Sequence, residues 1–169
     1  MSRRVVIADA GPLLGLARID SLSLLRGLFG RVCITRAVHD EIQPSGASFP
    51  DTQLFSHALA EGWIEVVENP AAEWKPLNPG VDAGEASAIH MACLWRDAGD
   101  AVLLIMDDRA GRLEAKSRGI TLIGTAAVIG LAKSAGLIPE ARPSLERLAR
   151  VGYFIGPSVI TAILAEVGE

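Results

Sequence analysis

The chain has 169 residues, half of them hydrophobic, with 21% charged residues and a formal net charge of −4. That length and apolar content are enough for a single packed domain over 1–169, which excludes an intrinsically disordered chain. The mild negative charge excludes a simple polycationic nucleic-acid binder, while leaving room for a local basic strip.

The run Val5–Ala8 predicts a buried first strand that ends on Asp9 and passes into Gly11 and Pro12. Leu13, Leu14 and Leu16 then follow helical spacing, and a break at Asp20–Ser21 separates them from a second helical stretch, "SLSLLRGLF". "RVCIT", Arg31–Thr35, predicts a second strand, and Thr35 is placed to cap the helix "RAVHDEI". Gln43–Asp51 is rich in turn residues and predicts a loop, followed by a helix over Thr52–Ala60 and an edge strand in "WIEVV". Three prolines between Asn69 and Gly80 exclude a regular element there.

"DAGEASAIHMACLWRDAG" predicts a helix capped by Asp82, "AVLLIM" an interior strand, and "RAGRLEAKSRG" a helix stopped by Gly119. "ITLIG" predicts a strand, and "TAAVIGLAKSAG" a helix capped by Thr125 and closed by Gly136. Two short helices, Pro143–Arg150 and Pro157–Val167, form a tail. The pattern divides into an α/β core over 4–136 and a C-terminal helical extension over 137–169. Alternating strands and helices predict a layered α/β fold with a mainly parallel sheet.

Cys33 and Cys93 stand apart in apolar surroundings, with no CxxC, so neither a zinc knuckle nor a redox pair is expected. His39, His57 and His90 show no metal-ligand spacing and are expected at the surface or its boundary. Asp9, Gly11 and Pro12 interrupt the apolar start, and Ile120–Ala132 is too short to span a bilayer. The expectation is a soluble, cytoplasmic protein with no membrane association.

In a parallel sheet, ligands sit outside the carboxyl ends of the strands. Asp9 ends the first strand, and Asp107 and Asp108 end the strand that starts at Ala101. Glu41, after the second strand, and Glu85, in the first turn of a helix, can reach the same rim. Two carboxylates ~5 Å apart repel by roughly 3 kcal/mol at an effective dielectric near 20. Gathering several therefore calls for a cation or a shared proton. Oxygen ligands without histidine or cysteine point to Mg²⁺ or Mn²⁺. Taken singly, Asp9 and the Asp107–Asp108 pair also read as helix caps, and Glu41 and Glu85 as solvated surface acids. Their joint position at one rim favours a site.

"VVIADAGPLLGLARI", "ITRAVHDEI", "DAGEASAIHMA", "LLIMDDRAGRLEAKSRGI" and "GTAAVIGLAKSAGLI" together resemble the PIN-domain superfamily. Within it the chain is similar to a little-characterised prokaryotic branch related to VapC-type toxin ribonucleases. The resemblance implies a three-layer α/β/α sandwich and a Mg²⁺- or Mn²⁺-dependent ribonuclease hydrolysing RNA. It matches Asp9 to the first-strand aspartate, Glu41 to the glutamate after the second strand, and Glu85 to the acid opening the middle helix. One of Asp107 and Asp108 matches the next aspartate: the following arginine favours Asp108, and the strand end favours Asp107. It further implies a homodimer and, for toxin-like members, an antitoxin-like protein partner.

Arg109, Arg112 and Lys116 recur at helical spacing directly after the acidic pair. They can meet RNA phosphates, or form a solvated face paired with Glu114. Thr125 can present a hydroxyl or N–H to a phosphate, or cap its helix. No GxSxG, Cys-His pairing or phosphate-binding Gly-Lys loop is present, so no covalent nucleophile is expected. The alternative to an enzyme is a non-catalytic PIN-like nucleic-acid-binding or interaction module. The tail hydrophobics Leu145, Leu148, Tyr153, Phe154, Ile155, Ile160, Ile163 and Leu164 must cover either the sheet layer or a second subunit.

Overall fold

The computed structural model describes residues 1–44 and 52–169. From Ser45 onward, the turn-rich segment expected over Gln43–Asp51 lies outside them. Among the described residues, five strands form one fully parallel sheet: β1 (Arg4–Ala8), β2 (Val32–Thr35), β3 (Ile64–Val67), β4 (Ala101–Ile105) and β5 (Thr121–Ile123). Their order is β3-β2-β1-β4-β5. The chain winds outward from β1 to β3, then returns to the far side of β1 as β4. The winding therefore reverses between β1 and β4, where such a sheet opens a crevice at its carboxyl ends. Ala8 stands in register with Ile105, and the Asp9 N–H donates to the Ile105 carbonyl at 3.0 Å, which holds the two strand ends side by side.

Alternation along the strands divides the core into two layers. Ile7, Leu104 and Met106 pack against Ala88, Ile89 and Ala92 of α5 (Ala83–Asp97) and Ala115 of α6 (Arg109–Ser117). Ala8 and Ile105 face the opposite layer. It contains α1 (Ala10–Arg18), α2 (Ser23–Phe29), α7 (Thr125–Ser134), α8 (Arg142–Arg150) and α9 (Pro157–Glu166). Two further helices, α3 (Arg36–Ile42) and α4 (Gln53–Ala60), bury Val38, Ile42 and Phe55 in that layer. The fold is the expected three-layer α/β/α sandwich. Among the described residues, no helix is long and apolar enough to cross a membrane.

The tail completes this core within the chain. Leu145, Leu148 and Leu164 are buried, and Tyr153, Ile155, Ile160 and Ile163 are half-buried against the same layer. Of the eight tail hydrophobics only Phe154 stays out, at 85% exposure. A second subunit is not needed to cover them.

Local signals set most boundaries. The Thr35 hydroxyl accepts from the Val38 N–H at 3.3 Å and caps α3. Asp82 and Glu85 form a reciprocal capping box at α5. Two expectations need correction. Gly124, not Thr125, is the N-cap of α7, and Thr125 is its first residue, fully buried. His90 is buried rather than at the boundary, with its ring stacked on Trp74 at 5.2 Å.

Glu114 is also misread by helical spacing alone. Its side chain does not balance a solvated basic stripe. It is 2% exposed and accepts from the Leu77 and Asn78 N–H groups and from Arg118. Burial alone would raise its pKa, but these donors hold it below the usual carboxylate range. The Arg118 guanidinium lies 4.6 Å from the Trp74 ring centroid. This one carboxylate thus pins the proline-rich segment, which has no ladder of its own, onto α6. Replacing it by leucine leaves two N–H groups and a guanidinium without their acceptor. Glu114→Leu is expected to cost about 2–3 kcal/mol in urea unfolding and to open residues 69–80 to proteolysis. An unchanged midpoint and cleavage pattern would show that the segment is held elsewhere.

Candidate active site

The switch point between β1 and β4 places Asp9 and the Asp107–Asp108 pair at one edge. Asp9 precedes α1 with extended backbone and makes no side-chain capping bond, so the capping reading does not account for it. It is 7% exposed. Burial pushes its pKa up to about 7; the Ala10 N–H opposes the shift, and Glu85, Glu41 and Asp82 add to it.

Glu85 is 6% exposed, and its pKa is likewise pushed up to about 7, first by burial and then by Asp82, Asp108 and Glu41. The Asp82 N–H donates to Glu85 Oε2 at 3.1 Å, and the Glu85 N–H donates to Asp82 Oδ1 at 2.8 Å. Glu85 is therefore both a helix cap and a member of the acidic group. Glu41 comes in from α3 across Gly84. A Cβ at Gly84 would stand 2.6 Å from Glu41 Oε2, so any other residue there would push the Glu41 carboxylate from this position. Burial and Asp82 raise the Glu41 pKa.

The adjacent aspartates divide the work. Asp108 caps α6, accepting from the Gly111 N–H at 3.0 Å, and its charge acts on Glu85. Asp107 turns the other way. Its Oδ1 accepts from the Thr125 N–H at 2.9 Å, and its Oδ2 accepts from the Thr125 hydroxyl at 2.5 Å and from the Tyr153 hydroxyl. Thr125 thus spends both donors on Asp107 and keeps neither for a phosphate. The Tyr153 ring lies across α1, where a Cβ at Gly15 would come within 2.8 Å of it. Burial and then Asp107 raise the Tyr153 pKa far above the phenolic range, so the hydroxyl keeps its proton and donates.

Sequence reasoning missed two participants. Asp82 read as a cap alone, although its capping-box spacing to Glu85 already placed it at the rim. Tyr153 read as a tail hydrophobe, and no local pattern marks its bond to a residue 46 positions away. Of the basic stripe, Arg109 and Arg112 line a cleft of about 640 Å³ beside Asp107 and Asp108, and Lys116 lies outside its wall. The Arg112 Nη1 donates to the Met106 carbonyl at 2.8 Å.

The donor chemistry of Asp9, Glu85 and Asp108, with Glu41 and Asp82 beside them, fits a hard divalent cation: all oxygen, several negative charges, no thiolate or imidazole. The raised pKa values express burial first and the neighbouring negative charge after it. Among the described residues, no three such side chains converge at ligating distance.

The model of the family DUF3368, a PIN domain, matches residues 5–169. The chain belongs to this PIN-domain family. A solved structure of a PilT N-terminus domain protein, SSO1118, from the hyperthermophilic archaeon Sulfolobus solfataricus P2 shares the fold. Its TM-score is 0.52 at 18% identity, covering 73% of this chain and 90% of that one. No curated protein matches the chain. PIN domains are usually nucleases and typically use divalent metals, so hydrolysis is the coarse class of chemistry for this PIN domain.

Two outcomes follow for the site. Folding raises the Asp9 and Glu85 pKa values from 3.8 and 4.5 to about 7, so the native state holds protons that the unfolded chain has released. That stabilisation is complete below about pH 4 and is lost as pH rises through about 7. In EDTA, the contribution of these groups to urea stability is expected to fall between about pH 4 and 7 and to level off above that. Asp9→Asn is expected to flatten the fall and to raise stability at pH 8 by about 1 kcal/mol or more. A pH profile identical in wild type and variant would remove the buried-charge account. Tyr153→Phe, which keeps the ring and loses the donor to Asp107, is expected to cost about 1 kcal/mol. An unchanged unfolding midpoint would show that the contact contributes nothing.

Proposed function

We propose that this chain is a Mg²⁺- or Mn²⁺-dependent endoribonuclease that hydrolyses RNA at the carboxyl edge of β1 and β4. The observation that carries the reading is the gathering of Asp9, Glu41, Glu85 and Asp108 at the switch point, with Asp9 and Glu85 pushed up to about 7 by burial and their acidic neighbours. Asp9, Glu85 and Asp108 are the residues that would hold the cation, with Asp107 supporting them from the side of α7. When bound, the cation neutralises charge on the attacked phosphate and lowers the pKa of water.

The protein's own groups do the rest. Glu41, exposed at the rim, takes the proton of the attacking water on its carboxylate. Arg109 and Arg112 face the adjoining cleft and orient flanking phosphates, while Lys116 extends the positive strip along α6. Asp107, fixed by Thr125 and Tyr153, keeps the end of β4 rigid beneath Asp108, which limits the reorganisation the site needs. Toxin action, with an antitoxin-like protein closing the acidic edge, is a separable extension. It predicts growth arrest on expression, relieved by the product of an adjacent small gene.

Incubation of the purified chain with RNA and DNA in Mg²⁺ or Mn²⁺ tests the reading. RNA cleavage is expected, with Asp9→Asn and Glu85→Gln slower by about two orders of magnitude. Either cation is expected to raise the melting temperature of the wild type and to do so less in Asp9→Asn. Removing the three basic side chains should weaken RNA binding and flatten its salt dependence without affecting cation binding. No cleavage of either nucleic acid, together with a melting temperature indifferent to both cations, would falsify it.

A further inference from the structure

Phe154 is the most exposed of the large tail hydrophobics, with 85% of its surface in water against 46% at Val159 and 43% at Leu137. Its neighbours are not free. The Tyr153 hydroxyl is bonded to Asp107, and Tyr153 and Ile155 both pack on the core layer. The backbone at Phe154 is thus held from both sides, and the ring projects from a fixed point. It forms a wall of the 640 Å³ cleft that also contains Asp108, Arg109 and Arg112. Among the described residues Arg109 makes no ion pair, while Arg112 is oriented by its bond to the Met106 carbonyl.

An exposed aromatic face and guanidinium groups in one cleft, which shares Asp108 with the acidic group, match the chemistry of an unpaired nucleotide. Phosphate meets guanidinium, and the base lies on the ring. We infer that Phe154 is a stacking platform that receives an unpaired nucleobase in the cleft next to Asp108. The inference rests on the nuclease reading above and adds the residue on which a base is held. In a duplex each base face is already covered by its neighbour, so a duplex offers the ring nothing. A second copy of the chain fits the cleft less well. Asp108 and Arg109 are exposed beside the ring, and charged residues are depleted from the centres of protein interfaces.

The test uses the full chain, with Phe154→Ala and Phe154→Trp, in EDTA so that nothing is cut. Anisotropy is read on a labelled single-stranded RNA, the same strand carrying abasic positions, and a blunt duplex. Phe154→Ala is expected to weaken binding of the intact single strand about tenfold and Phe154→Trp to preserve it. The abasic strand and the duplex should bind wild type and Phe154→Ala alike. Because most of the residue is exposed, the substitution is expected to leave the fold intact, which an unchanged melting temperature checks. Equal binding of the intact strand by wild type and Phe154→Ala overturns the inference. So does an equal loss on the abasic strand, or conversion of a dimer to a monomer in sedimentation. Cleavage by wild type alongside any of these results leaves the nuclease reading standing and removes the stacking role. Base-dependent binding without cleavage in Mg²⁺ or Mn²⁺ does the reverse.

Discussion

Burying like charges next to one another is among the costliest things a fold can do, and this sheet does it where its winding reverses. Asp9 and Glu85 lie almost wholly inside the protein, within electrostatic reach of Glu41, Asp82 and Asp108. The cost is met by raised pKa values near neutrality, so that protonation or a cation relieves it. Much of the surrounding construction answers to that constraint. Gly84 keeps α5 clear of Glu41, the capping box ties Glu85 to its own helix, and the Asp9 N–H bond to Ile105 locks the two strand ends together.

Asp107 makes a second junction beside the first. Its carboxylate joins β4 to α7 through Thr125 and to the C-terminal tail through Tyr153. The tail is therefore part of the edge where the acids gather. Tyr153 reaches that point because Gly15 leaves space for its ring along α1. The same anchorage, with Ile155 packed on the core beyond it, leaves Phe154 exposed at the wall of the cleft.

Most of the architecture is legible in the sequence. The apolar runs at Val5–Ala8 and Ala101–Ile105, the caps at Thr35 and Asp82 and the stops at Gly119 and Gly136 are local signals, and a parallel layered sheet is their simplest assembly. Thr125 is an instructive failure. A hydroxyl at a helix start reads as a cap, but the cap is Gly124, because Asp107 offers the hydroxyl a charged acceptor across the sheet edge. Glu114 fails for a related reason. Its helical spacing puts it beside the basic residues, yet the N–H groups of a proline-rich segment that lacks partners of its own draw it inward.

By itself, then, the sequence determined which segments are strands and helices, that they form a parallel α/β sandwich, and which acids lie at strand ends, because periodicity and capping act over a few residues. Tertiary structure alone decided the division between Asp107 and Asp108, the recruitment of Asp82 and Tyr153, and the exposure of Phe154. Those outcomes depend on which side chains from distant segments meet in a low-dielectric interior. Desolvation, and not sequence spacing, sets which partners prevail there.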